Sequence, residues 1–249
     1  MRTRILDLPP ETYGHFLPRF LKTPLLCGYS GKVVPIPRGA EPNPTLCGYF
    51  FLNSENYTPP PRLAAFLEAG PPPVYVGFGS MTTPERRATA DMVIQALKLA
   101  GQRGILLSGW GGMEPRDCPD TILPIESAPH DWLLPKTAAV IHHGGAGTTS
   151  AMLRAGVPGL ITPFMGDQPY WGRKTAKLGV ALPPVPFKHL SAQRLAAAIR
   201  RLTQDSGLRA RARAFGEEIR SENGVGRAVS AIDESVGGAR SPRHCRATR

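Results

Sequence analysis

The chain has 249 residues, 41% of them hydrophobic, which is enough apolar material for a packed globular core. No apolar run approaches the length of a membrane span and the first ten residues lack a signal peptide's apolar centre, which excludes a membrane-spanning class and predicts a cytoplasmic protein. Thirty Lys and Arg against 19 Asp and Glu give a formal net charge of +11, which points to an acidic ligand, an anionic membrane surface or a nucleic acid.

The first part of the chain has little regular pattern. Residues 1–23 show no clear periodicity, whereas residues 25–30 and 45–52 alternate enough to predict two strands. Residues 53–73 contain two runs of three prolines, which is typical of a connector between domains, with a short helix over residues 63–69.

Residues 74–237 alternate between strands and helices. Strands are predicted near Val74, Ile105, Ile122, Ala139 and Leu160, with a short one near Val180. Helices are predicted over residues 84–100, 148–155, 191–203, 208–221 and 226–236. This alternation predicts an α/β fold, a Rossmann-like parallel sheet with helices on both faces, whose ligands lie at the carboxyl ends of the strands.

The most informative segment follows the predicted strand 138–141. His142 and His143 stand at the carboxyl end of this strand, and three glycines within residues 144–147 allow a sharp turn into a helix. The amides of a helix start have no intrahelical acceptor and carry a partial positive charge, so they bind phosphate. Because glycine turns also serve close packing in many α/β domains, the glycines alone do not identify a ligand.

The two adjacent histidines have different predicted roles. Neighbouring residues of a strand face opposite sides, so one imidazole is structural and the other faces the ligand. We assign the ligand role to His143, and the Thr148 hydroxyl can donate to the same phosphate oxygens.

A second polar pair follows the strand predicted over residues 160–164. Asp167 and Gln168 precede Pro169, a residue well suited to the first turn of a helix. A carboxylate accepts from two hydroxyls and an amide both donates and accepts, which suits the adjacent hydroxyls of a hexose. The alternative is that Asp167 caps the helix, and both roles are compatible.

Ser80 follows the first strand of the sheet in the same manner. Its hydroxyl would lie at the same sheet edge as His143 and Asp167. The turn contains Gly77 and Gly79 but lacks the third glycine of a dinucleotide fingerprint, so a dehydrogenase is rejected.

The chain ends in a basic tail over residues 238–249, with arginines interspersed among Gly, Ser and Pro, which predicts disorder. A charged end kept in solvent is favoured over a nucleic-acid partner. A basic surface would also favour peripheral docking on anionic lipid.

Several long motifs resemble the nucleotide-sugar half of the UDP-glycosyltransferases, and most of all the sterol 3-beta-glucosyltransferases and their relatives. They are Pro-Pro-Pro-Val-Tyr-Val-Gly-Phe-Gly-Ser-Met at residues 71–81, Pro-His-Asp-Trp-Leu at 129–133, His-His-Gly-Gly-Ala-Gly-Thr-Thr at 142–149, Gly-Val-Pro at 156–158 and Pro-Phe-Met-Gly-Asp-Gln-Pro-Tyr-Trp-Gly at 163–172. The resemblance runs from about residue 25 to about residue 236. It implies the GT-B fold, in which two Rossmann-like domains face a cleft.

The resemblance also implies roles for individual residues. Ser80 would touch the donor diphosphate, Asp167 and Gln168 would hold the sugar, and residues 125–133 would border the uracil and ribose, with Trp132 as a stacking surface. The diphosphate would be gripped by His143 and by the amides of Gly145, Ala146, Gly147 and Thr148. No metal and no cofactor are implied beyond the UDP-sugar donor, and the reaction would invert the anomeric centre.

The family's catalytic base is a histidine of the N-terminal domain, and nothing before Pro24 resembles its motif. His15 is interpreted as a surface or packing histidine. The predicted domains are a remnant of the N-terminal acceptor domain over residues 1–52, a linker over 53–73, the UDP-sugar-binding domain over 74–237 and the tail over 238–249.

Three functions remain open at this point. The first is a UDP-sugar-dependent hexosyltransferase, with glucose as the sugar and a sterol or other lipophilic alcohol as the acceptor, incomplete for catalysis as given. The second is a non-catalytic nucleotide-sugar-binding or regulatory domain that needs a partner chain. The third is an unrelated Rossmann-like phosphate binder.

Overall fold

The structure is a computed structural model, and it describes residues 2–5, 7–37, 39, 44–79, 81, 85–109 and 113–237. The chain divides into two compact units. The larger comprises residues 52–221, and the smaller comprises residues 1–51 together with residues 222–249. Residues 53–73 thus belong to the larger unit, where the helix within them contacts the sheet.

A five-stranded parallel sheet organises the larger unit. Its strands are β3 (Val74–Gly77), β4 (Gly104–Leu107), β5 (Ile122–Ile125), β6 (Ala139–His142) and β7 (Gly159–Ile161). They lie in the order β5-β4-β3-β6-β7, and every pairing is parallel. From β3 the chain therefore continues through β4 to β5 at one edge of the sheet, and β6 then pairs with the other side of β3. The crevice between β3 and β6 is the topological switch point at which open α/β sheets bind ligands.

Helices cover both faces of this sheet, because its strands are apolar on both sides. The helices of the larger unit are α3 (Pro61–Glu68), α4 (Arg86–Ala100), α5 (His130–Leu133), α6 (Ala146–Ala155), α7 (Gln168–Lys177), α8 (Ala192–Gln204) and α9 (Ser206–Arg220). Val74 and Val76 of β3 pack with α4 and α8 in the main core. Tyr75, between them, faces the other side and contacts α5. The predicted Rossmann-like α/β fold is confirmed.

The smaller unit contains α1 (Arg2–Ile5), α2 (Tyr13–Lys22), β1 (Leu26–Cys27), β2 (Thr45–Leu46) and α10 (Gly224–Gly237). β1 and β2 pair in parallel, and within this unit the Ser30 hydroxyl donates to Glu222 Oε1 at 2.7 Å. α10 leaves a stripe of apolar side chains about half exposed: Val225, Val229, Ile232 and Val236. Among the described helices of the chain, none is long and apolar enough to cross a bilayer.

Three predicted strands differ from the structure, and α2 was not predicted. The strands expected over residues 25–30 and 45–52 are only two residues long, because Gly48, at φ +96°, turns the second strand away after Leu46. The short strand expected near Val180 is a single bridge between Gly159 and Ala181. Residues 13–22, where no regular element was predicted, form α2 with Pro18 inside the helix.

Candidate functional site

The carboxyl ends of β3, β6 and β7 meet at the switch point. A methyl group built on Gly79, after β3, would lie 2.9 Å from His143 Cε1, after β6. One built on Gly144 would lie 3.1 Å from the Gln168 carbonyl oxygen, beyond β7. The Gln168 side chain in turn reaches the Met81 sulfur at 3.4 Å. The structure therefore brings together the segments that carry the residues predicted for the diphosphate and the sugar.

The His143 ring is enclosed by two glycines. A side chain on Gly145 would meet His143 Nε2 at 2.6 Å, so neither Gly79 nor Gly145 could carry a Cβ without displacing the imidazole. Burial lowers the pKa of His143, while the Gly77 backbone and the nearby charge of Asp167 act in the opposite direction. His143 Nδ1 is buried and makes no hydrogen bond of standard geometry with the described residues. A neutral imidazole at this position can donate one hydrogen bond to an anionic ligand.

His142 is fully buried, as expected of the structural member of the pair. Its Nδ1 accepts a hydrogen bond from the Gly144 amide at 3.1 Å, which stabilises the turn into α6, and Gly144 adopts a positive φ of 96°. Burial lowers the pKa of His142 to about 3, so the ring is neutral at pH 7. An imidazole that accepts at Nδ1 carries its proton on Nε2.

The start of α6 offers amides that donate to no acceptor among the described residues. Gly145 is the N-cap residue with φ −60° and ψ 143°, and no side chain caps the helix. The first intrahelical bond begins at the Thr149 amide, so the amides of Ala146, Gly147 and Thr148 have no intrahelical acceptor. A side chain built on Gly147 would contact none of the described atoms, so no packing constraint explains this glycine.

Asp167 lies at the N-cap position of α7, but its side chain does not cap the helix. Its Oδ2 instead accepts a hydrogen bond from Trp171 Nε1 at 2.7 Å. The carboxylate is exposed, and its charge acts on His143 across the site. The capping role considered for the Asp167 side chain is therefore wrong, and the carboxylate faces a ligand-accessible region.

Gln168 is buried and already uses its side-chain oxygen. Oε1 accepts from the Phe164 and Met165 amides at 2.7 and 3.1 Å and so closes the turn between β7 and α7. The amide nitrogen already donates to the Met81 sulfur at 3.4 Å, so one of its N–H groups remains to donate to a ligand. The prediction that Gln168 both donates to and accepts from a sugar is thus limited to donation in this conformation.

A cavity lies at the carboxyl ends of β4 and β5, and the segment 125–133, predicted to border the base and ribose, supplies only Glu126 and Ser127 to its lining. The cavity measures about 570 Å³ and is lined by Arg86, Ser108, Gly109, Met113, Glu114, Pro115, Pro124, Glu126 and Ser127. The polar pair Ser108-Gly109 stands directly after the buried strand β4, and Gly79-Ser80 similarly follows β3 after one intervening residue. That repeated position is the sequence signal that could have identified it.

His130 and Tyr75 form a second, partly buried contact that the sequence prediction did not include. The Tyr75 hydroxyl lies 3.0 Å from His130 Nε2. Burial raises the pKa of Tyr75 and lowers that of His130, so both groups are neutral at pH 7 and the hydroxyl can donate to the ring. This bond fixes the start of the 129–133 segment to β3.

Trp132 is placed differently from the other predicted residues. Lys136 Nζ lies 4.2 Å from the centroid of its ring, and Tyr57 makes an edge contact at 5.1 Å. Among the described residues, the Trp132 ring therefore contacts the Tyr57 ring and the Lys136 ammonium, and no ring contact joins it to His143 or α6. A base-stacking role for Trp132 stays a prediction.

Ser80 lies outside the described residues, as does the basic tail over residues 238–249. Within the described part of the chain, no group of three or more His, Cys, Asp and Glu side chains is placed to hold a metal ion.

Comparison with known proteins gives a consistent result. Residues 111–231 match the family "Erythromycin biosynthesis protein CIII-like, C-terminal domain". A sterol 3-beta-glucosyltransferase of Arabidopsis thaliana is 38% identical over 246 residues, which cover 93% of this chain and 37% of that protein. An O-mycaminosyltylonolide 6-deoxyallosyltransferase of Streptomyces fradiae is 36% identical over 227 residues, which cover 91% of this chain and 51% of that protein.

The fold has close structural relatives. The crystal structure of CalG4, the calicheamicin glycosyltransferase, superposes with a TM-score of 0.69 at 20% identity, covering 87% of this chain and 54% of that one. The chain thus spans between a third and about half of the length of these three proteins.

Proposed function

We propose that this chain is a glycosyltransferase domain of the GT-B fold and supplies the donor-binding half of a UDP-sugar-dependent hexosyltransferase. The observation that carries the proposal is the convergence of unpaired α6 amides, the His143 imidazole and the Asp167 carboxylate at the switch point of one parallel sheet. A nucleoside diphosphate sugar has an anionic centre flanked by a base and by a ring of hydroxyls. The amides and His143 suit the anionic centre, and the Asp167 carboxylate suits the hydroxyls.

The diphosphate would lie at the start of α6. The amides of Ala146, Gly147 and Thr148 would donate to its oxygens, and His143 would add a directed N–H. Hydrogen bonds to charged groups contribute about 1.5–3 kcal/mol each, so three or four of them could hold a diphosphate. The absence of a packing constraint at Gly147 supports close approach of the ligand to the backbone.

The nucleoside and the sugar would extend in opposite directions from this centre. The cavity at the ends of β4 and β5 is large enough for a base and ribose, and Ser108 and Glu126 supply polar groups there. The sugar would lie beside Asp167, which accepts from hydroxyls, and the Gln168 amide nitrogen, which donates to them. Ser80 would also contact the diphosphate.

The finer assignments are UDP-glucose as the donor and a sterol or other lipophilic alcohol as the acceptor. They draw on the similarity to sterol 3-beta-glucosyltransferases. A basic surface would help such a protein dock on anionic lipid, and sedimentation with anionic liposomes at two salt concentrations tests this. Absent or salt-insensitive binding would refute electrostatic docking.

A second candidate is a domain that binds the nucleotide sugar without turning it over. One observation favours it: His15 is exposed on α2, which does not suit a base held by an acidic partner. Incubating the chain with UDP-glucose and a panel of sterols, scored by product mass, distinguishes the two candidates. A glycosylated product supports the transferase, whereas binding without product supports the binding domain.

Titration calorimetry with UDP and UDP-glucose tests the proposed site. We expect saturable 1:1 binding by the parent chain and a loss of about tenfold to a hundredfold in affinity for both ligands in His143→Ala, because one hydrogen bond to a charged group is removed. His189→Ala, at an exposed histidine elsewhere, should bind as the parent does. Equal binding by His143→Ala and the parent would refute the proposed grip.

A further inference from the structure

The hydrogen bond between Trp171 and Asp167 joins two residues one helical turn apart. Asp167 precedes α7, and the indole of Trp171 reaches back over the first turn of that helix to its carboxylate. The donor–acceptor distance of 2.7 Å is short for an N–H donor and is typical of a bond to a charged acceptor.

The helix itself does not hold this carboxylate. Asp167 has φ −83° and ψ −7°, and its side chain accepts no α7 amide, although its backbone carbonyl accepts from the Tyr170 and Trp171 amides. An exposed Asp side chain without such a restraint samples several rotamers. The indole N–H is the one group of the described residues that hydrogen-bonds to this carboxylate.

The Trp171 ring is itself restrained. It is half-buried, and the neighbouring Tyr170 ring contacts it edge-on at 5.2 Å between centroids. The next turn of α7 is fixed as well, because the Thr175 hydroxyl donates to the Trp171 carbonyl at 3.0 Å. Trp171 can therefore impose one orientation on Asp167.

We propose that Trp171 is a positioning residue for the donor sugar, which holds one oxygen of Asp167 through its indole N–H so that the carboxylate is pre-oriented toward the sugar hydroxyls. This inference rests on the proposed function. A carboxylate has about four acceptor positions, so one bond to the indole leaves enough capacity for two hydroxyls. The indole would not touch the nucleotide, and its effect would be confined to the sugar.

Trp171 should therefore affect the binding of the sugar and leave the binding of UDP unaffected. Removal of the N–H should lower the affinity for UDP-glucose by about three- to tenfold and leave the affinity for UDP unchanged. A residue that only supported the fold would affect the affinity for both ligands equally, because both bind through the same contacts to the diphosphate.

The test compares UDP and UDP-glucose binding by calorimetry in three chains. Trp171→Phe keeps an aromatic ring and removes the N–H, whereas Tyr170→Phe is the matched control, since its hydroxyl makes no hydrogen bond with the described residues. We expect the ratio of UDP-glucose to UDP affinity to fall only in Trp171→Phe. An unchanged ratio in Trp171→Phe, or a parent that binds the two ligands equally, overturns the inference.

A second readout does not depend on ligand. The indole N–H of Trp171, assigned among the three tryptophans by its disappearance in Trp171→Phe, should give a downfield proton resonance that moves upfield in Asp167→Ala. A resonance that does not respond to Asp167→Ala overturns the inference by itself. A parent chain that binds neither UDP nor UDP-glucose, with the indole resonance behaving as expected, refutes the proposed function and the sugar role of Trp171 but leaves the hydrogen bond established.

Discussion

His142 and His143 are adjacent in the chain, yet their side chains have opposite surroundings. His142 is fully buried and turns its Nδ1 to the Gly144 amide, whereas His143 is half-buried between Gly79 and Gly145 at the candidate site. The alternation of a strand predicted that one ring would be structural and the other would face a ligand. Burial lowers the pKa of both rings and does so most for His142, where the value is about 3.

The buried His142 makes the stability of the protein depend on pH. Its pKa is about 3 in the folded chain and 6.5 in the unfolded chain, so between these values the unfolded state binds more protons. The free energy of unfolding should therefore rise with pH in this window and fall as the solution is acidified. Between pH 7 and pH 5 the loss from His142 alone should be about 2 kcal/mol, measured by urea unfolding.

The matched variant for this measurement is His142→Asn, which can still accept from the Gly144 amide but does not titrate. Other groups, including His130 and His143, titrate in both proteins, so the difference between the two curves isolates His142. Parallel curves for the parent and His142→Asn between pH 5 and pH 7 would contradict the account of a neutral buried imidazole.

At the scale of elements, the position of α6 at the candidate site depends on the packing of α9 against it. α9 crosses α6 so closely that a Cβ on Gly216 would lie 2.5 Å from the Gly156 Cα and 3.0 Å from the Leu153 carbonyl oxygen. Gly156 ends α6 with φ +69°. Backbone therefore meets backbone at the crossing, and the position of the α6 amides follows from it.

Gly216→Ala should destabilise the protein although alanine favours helix formation. The added methyl group must push the two helices apart, at a cost of about 1–3 kcal/mol, against a gain in helix propensity of up to ~1 kcal/mol. We expect urea unfolding to show a net loss of about 1–2 kcal/mol. Gly147→Ala, where the Cβ would meet open space, should not lose stability and serves as the control.

The sequence predicted the elements of the main sheet well, because parallel strands buried on both faces appear as continuous apolar runs. It predicted the N-terminal elements poorly. Gly14 and Pro18 disfavour a helix by local propensity, yet residues 13–22 form α2. Local pattern also could not show that the Gln168 side chain closes its own turn, or that Trp171 rather than α7 holds Asp167, since both depend on rotamers.

At the scale of the whole molecule, part of the excess positive charge has a role within the fold. Five arginines between residues 194 and 220 donate to backbone carbonyls, mostly at or near helix ends: Arg194 to His189, Arg200 to Leu99, Arg209 to Thr203, Arg211 to Gly179 and Arg220 to Arg154. Helix carboxyl ends have unsatisfied carbonyls and a partial negative charge, so cations stabilise them. A basic composition therefore does not by itself indicate a nucleic-acid partner here.

Sequence motifs, sheet topology and the contacts at three strand ends all indicate the same binding site, the start of α6 beside His143. The measurement that tests this site most directly is a titration of the ¹⁵N-labelled chain with UDP, followed by amide chemical shifts. We predict that the largest changes fall on the amides of Ala146, Gly147 and Thr148 and on Gly79. Saturable shifts concentrated elsewhere in the chain, or no shifts at millimolar UDP, would contradict the account.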